Sequence, residues 1–173
     1  MKYFFIVLTI IIILVIVRII IKIKTDKDIF NLLNKHSDKY TLIKARKKAY
    51  QYVLRTSDLD IYVCILKIPR YSQICINAKE TWKLSYNTFK KDKGSGYSAS
   101  RYLTEIEYFL KNDINTNKNY LKLILVYKDT EEIVRYLNET ELDVIDFSKT
   151  PYGYKITTYK DFKNDIEKLL SNK

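Results

Sequence analysis

From Tyr3 to Ile21 the chain is almost unbroken hydrocarbon, interrupted by a single charge, Arg18, near its end. At about 1.5 Å per helical residue this run reaches roughly 28 Å, close to the ~30 Å hydrocarbon thickness of a bilayer. That is enough for one crossing. A cleaved secretory leader needs small residues at its cleavage site, and no Ala or Gly precedes Ala45, so residues 1–24 read as an uncleaved transmembrane anchor. Arg18 lies close enough to the end of the run for its long stem to carry the guanidinium to the headgroups. Lys22, Lys24, Lys27 and Lys35 follow the run, while only Lys2 and the amino terminus precede it. By the positive-inside rule the expectation is a single-pass membrane protein with its C-terminal domain on the cytoplasmic side.

Residues 25–38 read as a juxtamembrane tether with some helical character, and 39–173 as one α/β domain with room for a real core. The net charge of +11 favours anionic partners, either lipid headgroups or nucleic acid. With one histidine, His36, and two cysteines, Cys64 and Cys75, the usual structural zinc sites cannot be assembled. His36 sits in a polar stretch and is expected to be solvated, which argues against serine-protease chemistry. Both cysteines lie in apolar, strand-like runs and read as small buried hydrophobes. A cross-strand disulfide between them stays open if their strands form a hairpin in an oxidising compartment.

Leu42, Ala45, Ala49, Tyr52 and Val53 recur at helical spacing, predicting an amphipathic helix whose other face carries Lys44, Lys47 and Lys48. Those lysines are the candidate contacts for anionic lipid or a nucleic-acid backbone. Two β-rich runs follow, Asp60 to Ile68 and Ser72 to Lys79, and then a third, Thr81 to Asn87, predicting an antiparallel meander. The loop KKDKGSGYS holds two of the three glycines and reads as a connector. A helix is expected from Ser98, with Ala99, Leu103, Ile106 and Leu110 on one stripe. YLKLILVY at 120–127 reads as a strand buried on both faces, at the sheet centre. Asp129 and Glu132 predict a helix start, running to about Asn138. A strand at LDVIDF, a short run at YKITT and a terminal helix on Phe162, Ile166, Leu169 and Leu170 complete the order. Trp82 reads as a packing residue.

In SDLDIYVCILKIPRYSQICINAK, Asp60 opens one predicted strand, and Asn77-Ala78-Lys79 closes its predicted hairpin partner. This pattern, following a helix, resembles the PD-(D/E)xK nuclease-like superfamily, and within it the nuclease-related domains of the NERD type. The resemblance implies a restriction-endonuclease-like core over about residues 40–170. It also implies a divalent-metal-dependent nuclease in which Asp60 and Asn77 hold Mg²⁺, with Asp60, Asn77 and Lys79 as the catalytic set. A hard cation wants oxygen ligands, and a lysine beside it can steady charge developing on phosphate. Asn77 stands where the family has a carboxylate, so the motif is degenerate; Asp58 and Glu80 are the nearby acids. The alternative is a non-enzymatic single-pass membrane protein whose basic domain binds anionic lipid or a protein partner in assembly or recognition. The residues leave both readings open.

Overall fold

A computed structural model describes residues 2–45, 47, 49–87, 96–128, 130–138 and 141–171. It divides into two units, Met1–Ser37 and Asp38–Lys173. The first is dominated by helix α1 (Lys2–Asn34), which carries the apolar run and continues through most of the expected tether. Its segment from Ile6 onward is long and apolar enough to cross a membrane. Ile6 through Ile23 present apolar side chains around the whole helix, without protein cover, which is how a helix surface looks when lipid is its solvent. His36, in the same unit, is buried rather than solvated, and its Nε2 has no hydrogen-bond partner.

The second unit is a mixed-sheet α/β domain of two five-stranded sheets. The first sheet runs β1 (Thr41–Lys44), β2 (Tyr52–Arg55), β3 (Asp60–Lys67), β7 (Tyr120–Tyr127), β10 (Tyr154–Thr158). The second runs β6 (Ala99–Tyr102), β5 (Trp82–Tyr86), β4 (Ser72–Ile76), β8 (Glu132–Tyr136), β9 (Leu142–Val144). Two parallel pairs form the middle of the domain, β3 with β7 in the first sheet and β4 with β8 in the second. The chain passes between the sheets four times, after β3, β6, β7 and β9, and the passages that follow β3 and β7 are neighbours. Hydrogen bonds from Ile68 N–H to the Tyr127 carbonyl (2.7 Å) and from Glu131 N–H to the Ser72 carbonyl (2.8 Å) tie the two passages together.

Strand alternation sends Tyr62, Cys64, Leu66, Ile124 and Val126 from the first sheet, and Ile74, Ile76, Leu84 and Trp82 from the second, into one core. Trp82 packs edge-on to Tyr154, so its expected structural role stands. Helix α2 (Thr104–Lys111) adds Ile106, Phe109 and Leu110. Its carboxyl end is closed by two side chains from the first sheet. Buried Lys122 on β7 donates to the carbonyls of Phe109 (2.9 Å) and Asn112 (2.6 Å), and Tyr154 on β10 donates to that of Leu110 (2.8 Å). A cation there meets the negative end of the helix as well as its unpaired carbonyls. Helix α3 (Phe162–Ser171) lies against β10, burying Phe162 and Ile166.

Several expected elements change type. The helix expected over Leu42 to Val53 is strand, turn and strand, with Ile43 opposite Val53 and Leu42 opposite Leu54. The alanines that completed the helical spacing, Ala45 and Ala49, sit in the turn and pack on the core. The helix expected up to Asn138 is β8: its run EIVRY gives a strand buried at Ile133 and Val134, and Asp129 lies outside the described residues. Ser98 does not open a helix; Ala99 belongs to β6, and α2 begins at Thr104. The meander holds only for β4 and β5. The β3 and β4 segments were expected to be hairpin partners but lie in different sheets, because the short passage at 68–71 carries the chain across the core instead of reversing it within one sheet. The helix-plus-hairpin arrangement on which the nuclease-like resemblance was drawn is therefore absent from these elements. Strand β7 is flanked by β3 and β10 and buried over most of its length, as YLKLILVY implied, although β3 is the central strand.

Candidate functional site

The β2–β3 hairpin sets Asp60. The turn Thr56–Leu59 is closed by the Thr56 hydroxyl, and the register places Arg55 directly opposite Asp60. The guanidinium forks the carboxylate, with Nε 3.0 Å from Oδ1 and Nη2 2.9 Å from Oδ2. Asp60 is 1% exposed, so its two oxygens face an arginine and not a solvent-filled site. The ion pair holds Arg55 above its ordinary range, through the Asp60 hydrogen bond first and its charge second. This is the geometry in which arginine binds a carboxylate most strongly.

The other members of the expected catalytic set stand on the second sheet. Asn77 is exposed just beyond β4, and its Oδ1 accepts from the Cys75 thiol at 2.9 Å. Lys79 is exposed in the tight turn closed by Ala78 N–H to the Thr81 carbonyl (3.2 Å). Glu80 is exposed in the same turn, and Asp58 in the β2–β3 turn. Strand pairing joins Asp60 to Arg55 and Tyr120, and does not bring it to Asn77 or Lys79. Among the described residues no three His, Cys, Asp or Glu side chains gather to hold a metal ion.

Of the three lysines expected on one helical face, Lys44 is exposed at the end of β1, and Lys47 is exposed with Nζ 5.7 Å from the Tyr50 ring centroid. Lys48 lies outside the described residues, as does most of the loop KKDKGSGYS. The cysteines are both buried and free, on strands of different sheets. Burial, with a smaller contribution from Glu105, pushes the Cys64 thiol up to about 12, and burial raises Cys75. Neither is a ready thiolate at neutral pH.

Sequence reasoning missed an acidic crevice of about 410 Å³ bordered by β8, β9 and β10, with Glu131, Glu132, Asp146, Asp161 and Asp165 in its lining. Asp165 comes from α3 and accepts from the Thr157 hydroxyl at 2.6 Å. Burial raises its pKa, Asp161 and Asp146 add to the rise, and the Thr157 hydrogen bond opposes it. Asp146 is held low, chiefly by the Ser148 hydroxyl and further by the backbone N–H groups of Ser148 and Lys149. Two carboxyls lining one crevice are thus pushed in opposite directions. No short motif announces them, because Asp146, Asp161 and Asp165 meet only through the parallel placement of β10 and the return of α3.

No family model matches the chain, and neither a curated protein nor a solved structure matches it. The class that the fold defines is a long apolar N-terminal helix joined to a mixed-sheet α/β domain.

Proposed function

We propose that the chain is a single-pass membrane protein whose C-terminal domain faces the cytoplasm and serves as a non-catalytic docking module. Exposed basic side chains, Lys44 and Lys47 among them, meet anionic headgroups of the bilayer. The observation that carries this reading is Asp60: the one carboxylate placed to lead a nuclease motif is buried and already neutralised by Arg55. Displacing that arginine for a metal would break a paired, desolvated carboxylate contact, a poor starting point for a hard-cation site. The competing reading is a restriction-endonuclease-like, Mg²⁺-dependent nuclease built on Asp60, Asn77 and Lys79.

One experiment separates the two. Full-length protein in phosphatidylcholine nanodiscs, with or without phosphatidylserine, is incubated with DNA and RNA in Mg²⁺ or Mn²⁺, and headgroup proximity is read by quenching of a fluorophore beside Lys47. We expect no cleavage, and quenching that rises with phosphatidylserine, falls at high salt and is weakened in the double variant Lys44→Glu, Lys47→Glu. Cleavage abolished by Lys79→Ala would replace this reading with the nuclease.

A further inference from the structure

β10 is the outermost strand of the first sheet, and β7 pairs with one side of it only. The Tyr159 N–H reaches the Val126 carbonyl at 2.9 Å, so in this parallel ladder the backbone groups of Lys155 and Thr157 face β7. Those of Ile156 and Thr158 face the open side. Among the described residues the Ile156 N–H and carbonyl and the Thr158 N–H have no hydrogen-bond partner there. The acidic crevice runs along this edge. Neighbouring residues of a strand point to opposite sides of its sheet, yet Ile156, Thr157 and Thr158 all line the crevice, so it follows the edge of β10 and neither face. Ile156 is buried because its side chain joins the core, and the crevice meets it along the edge. At Lys155 the edge is occupied, since its Nζ donates to the carbonyls of Phe147 (2.8 Å) and Ser148 (3.0 Å). Ile156 to Thr158 remain, about 10 Å of edge.

Charge sets the kind of occupant. The chain carries 31 Lys and Arg against 20 Asp and Glu, yet among the described residues none of the five crevice carboxylates belongs to an ion pair. Each is held by a neutral donor instead: Glu131 by the Tyr97 hydroxyl, Glu132 by the Gln73 amide, Asp146 by Ser148, Asp161 by Thr158 and Asp165 by Thr157. Asp143 on β9, opposite Arg135 in the register and outside the crevice, takes Lys149. Since no three of these carboxyls gather to ligate a metal, the slot suits cations carried singly on separate side chains. We propose that the free edge of β10 accepts an extended, lysine- or arginine-bearing segment of a partner polypeptide as an added strand. Its backbone bonds to Ile156 and Thr158, and its cationic side chains stand against Glu131, Asp146 and Asp161. A peptide main chain brings the donor and the acceptor that the edge lacks, which a free amine or a metal ion does not. The site is at the edge of the first sheet remote from β1 and makes no use of Lys44 or Lys47.

The test uses full-length protein in phosphatidylcholine nanodiscs, titrated with a capped seven-residue peptide that alternates lysine and valine. The Ile156 and Thr158 amide resonances are followed by NMR, and affinity is read by calorimetry. Control peptides carry glutamate in place of lysine, or N-methyl groups at alternate positions in one phase or the other. We expect a saturable shift of both amides, with affinity about tenfold lower for the glutamate peptide and for one of the two N-methylated phases. The double variant Glu131→Gln, Asp161→Asn, at two exposed positions, should weaken binding by about tenfold and flatten its salt dependence. If that variant does not fold, the control peptides decide on the parent protein alone. Lys44→Glu, Lys47→Glu should leave the shift intact, whatever the headgroup assay returns. The proposal is overturned if millimolar peptide moves neither amide, or if the glutamate peptide or both N-methylated peptides bind as well as the parent peptide. It is equally overturned if the amides shift with protein concentration alone, which would make a second copy the occupant, or if micromolar Mn²⁺ broadens the crevice resonances and excludes the peptide.

Discussion

In the first sheet, charged and polar groups that enter the strands find partners inside the domain. Asp60 takes Arg55, Lys122 closes α2, and Thr157 meets Asp165. In the second sheet a ladder of paired residues, Tyr102, Lys83, Cys75, Val134 and Val144, crosses all five strands on the face turned away from the core. Tyr102 and Val144 at its two ends are exposed, as are Tyr136 and Leu142 beside it, and Arg135 on the opposite face lacks an acceptor. The difference teaches where to look for function. These side chains of the first sheet are satisfied internally, whereas the second sheet leaves a side-chain N–H unpaired and apolar side chains exposed at its edges, which is where its contacts are to be tested.

Three substitutions would break or sharpen that contrast. The largest effect is expected from Lys122→Ala, which strips the α2 terminus of its donor and leaves buried carbonyls unpaired. A loss of about 3 kcal/mol in chemical denaturation is expected. A loss within error of zero would mean that α2 does not depend on Lys122 for its closure. Next comes Asp165→Asn. Because the folded-state pKa of Asp165 is raised, protonation favours the native state: its contribution to stability is complete below the unfolded Asp range and is lost as pH rises through the folded value. The variant should therefore be more stable than the parent at neutral pH, with the advantage vanishing in acid. A melting-temperature difference independent of pH would show that the raised carboxyl is not the cause. The smallest effect belongs to Val144→Ser on the open face, expected within about 0.5 kcal/mol of the parent. A destabilisation comparable to that of Lys122→Ala would mean that the second sheet is as load-dependent as the first.

The apolar helix, the buried strand at 120–127 and the terminal helix were all legible, because each carries a consistent period or a continuous apolar run. The errors fell on short segments. Leu42, Ala45 and Ala49 matched a helical stripe only because the two alanines of the turn after β1 happen to stand at helical spacing from Leu42, and EIVRY is too short for periodicity to choose between strand and helix. The candidate site depended on more. Reading Asp60 and Asn77 as hairpin partners required β3 to pair with β4, and pairing across ten strands is a long-range outcome that no local window contains. Arg55 was present in the sequence five residues before Asp60, and strand pairing alone turned it into the partner that occupies the carboxylate. Arg135 carried no signal, since its isolation depends on Asp143 being claimed by Lys149.

That claim has a second consequence, for crowding. Leu142 and Val144 form the outer edge of the second sheet, where unpaired backbone groups and exposed apolar side chains lie side by side, the combination that templates strand addition between copies. By covering the Val144 carbonyl, Lys149 puts a charge where a neighbouring strand would dock. A single lysine placed at a three-residue edge thus works against strand addition between neighbouring copies.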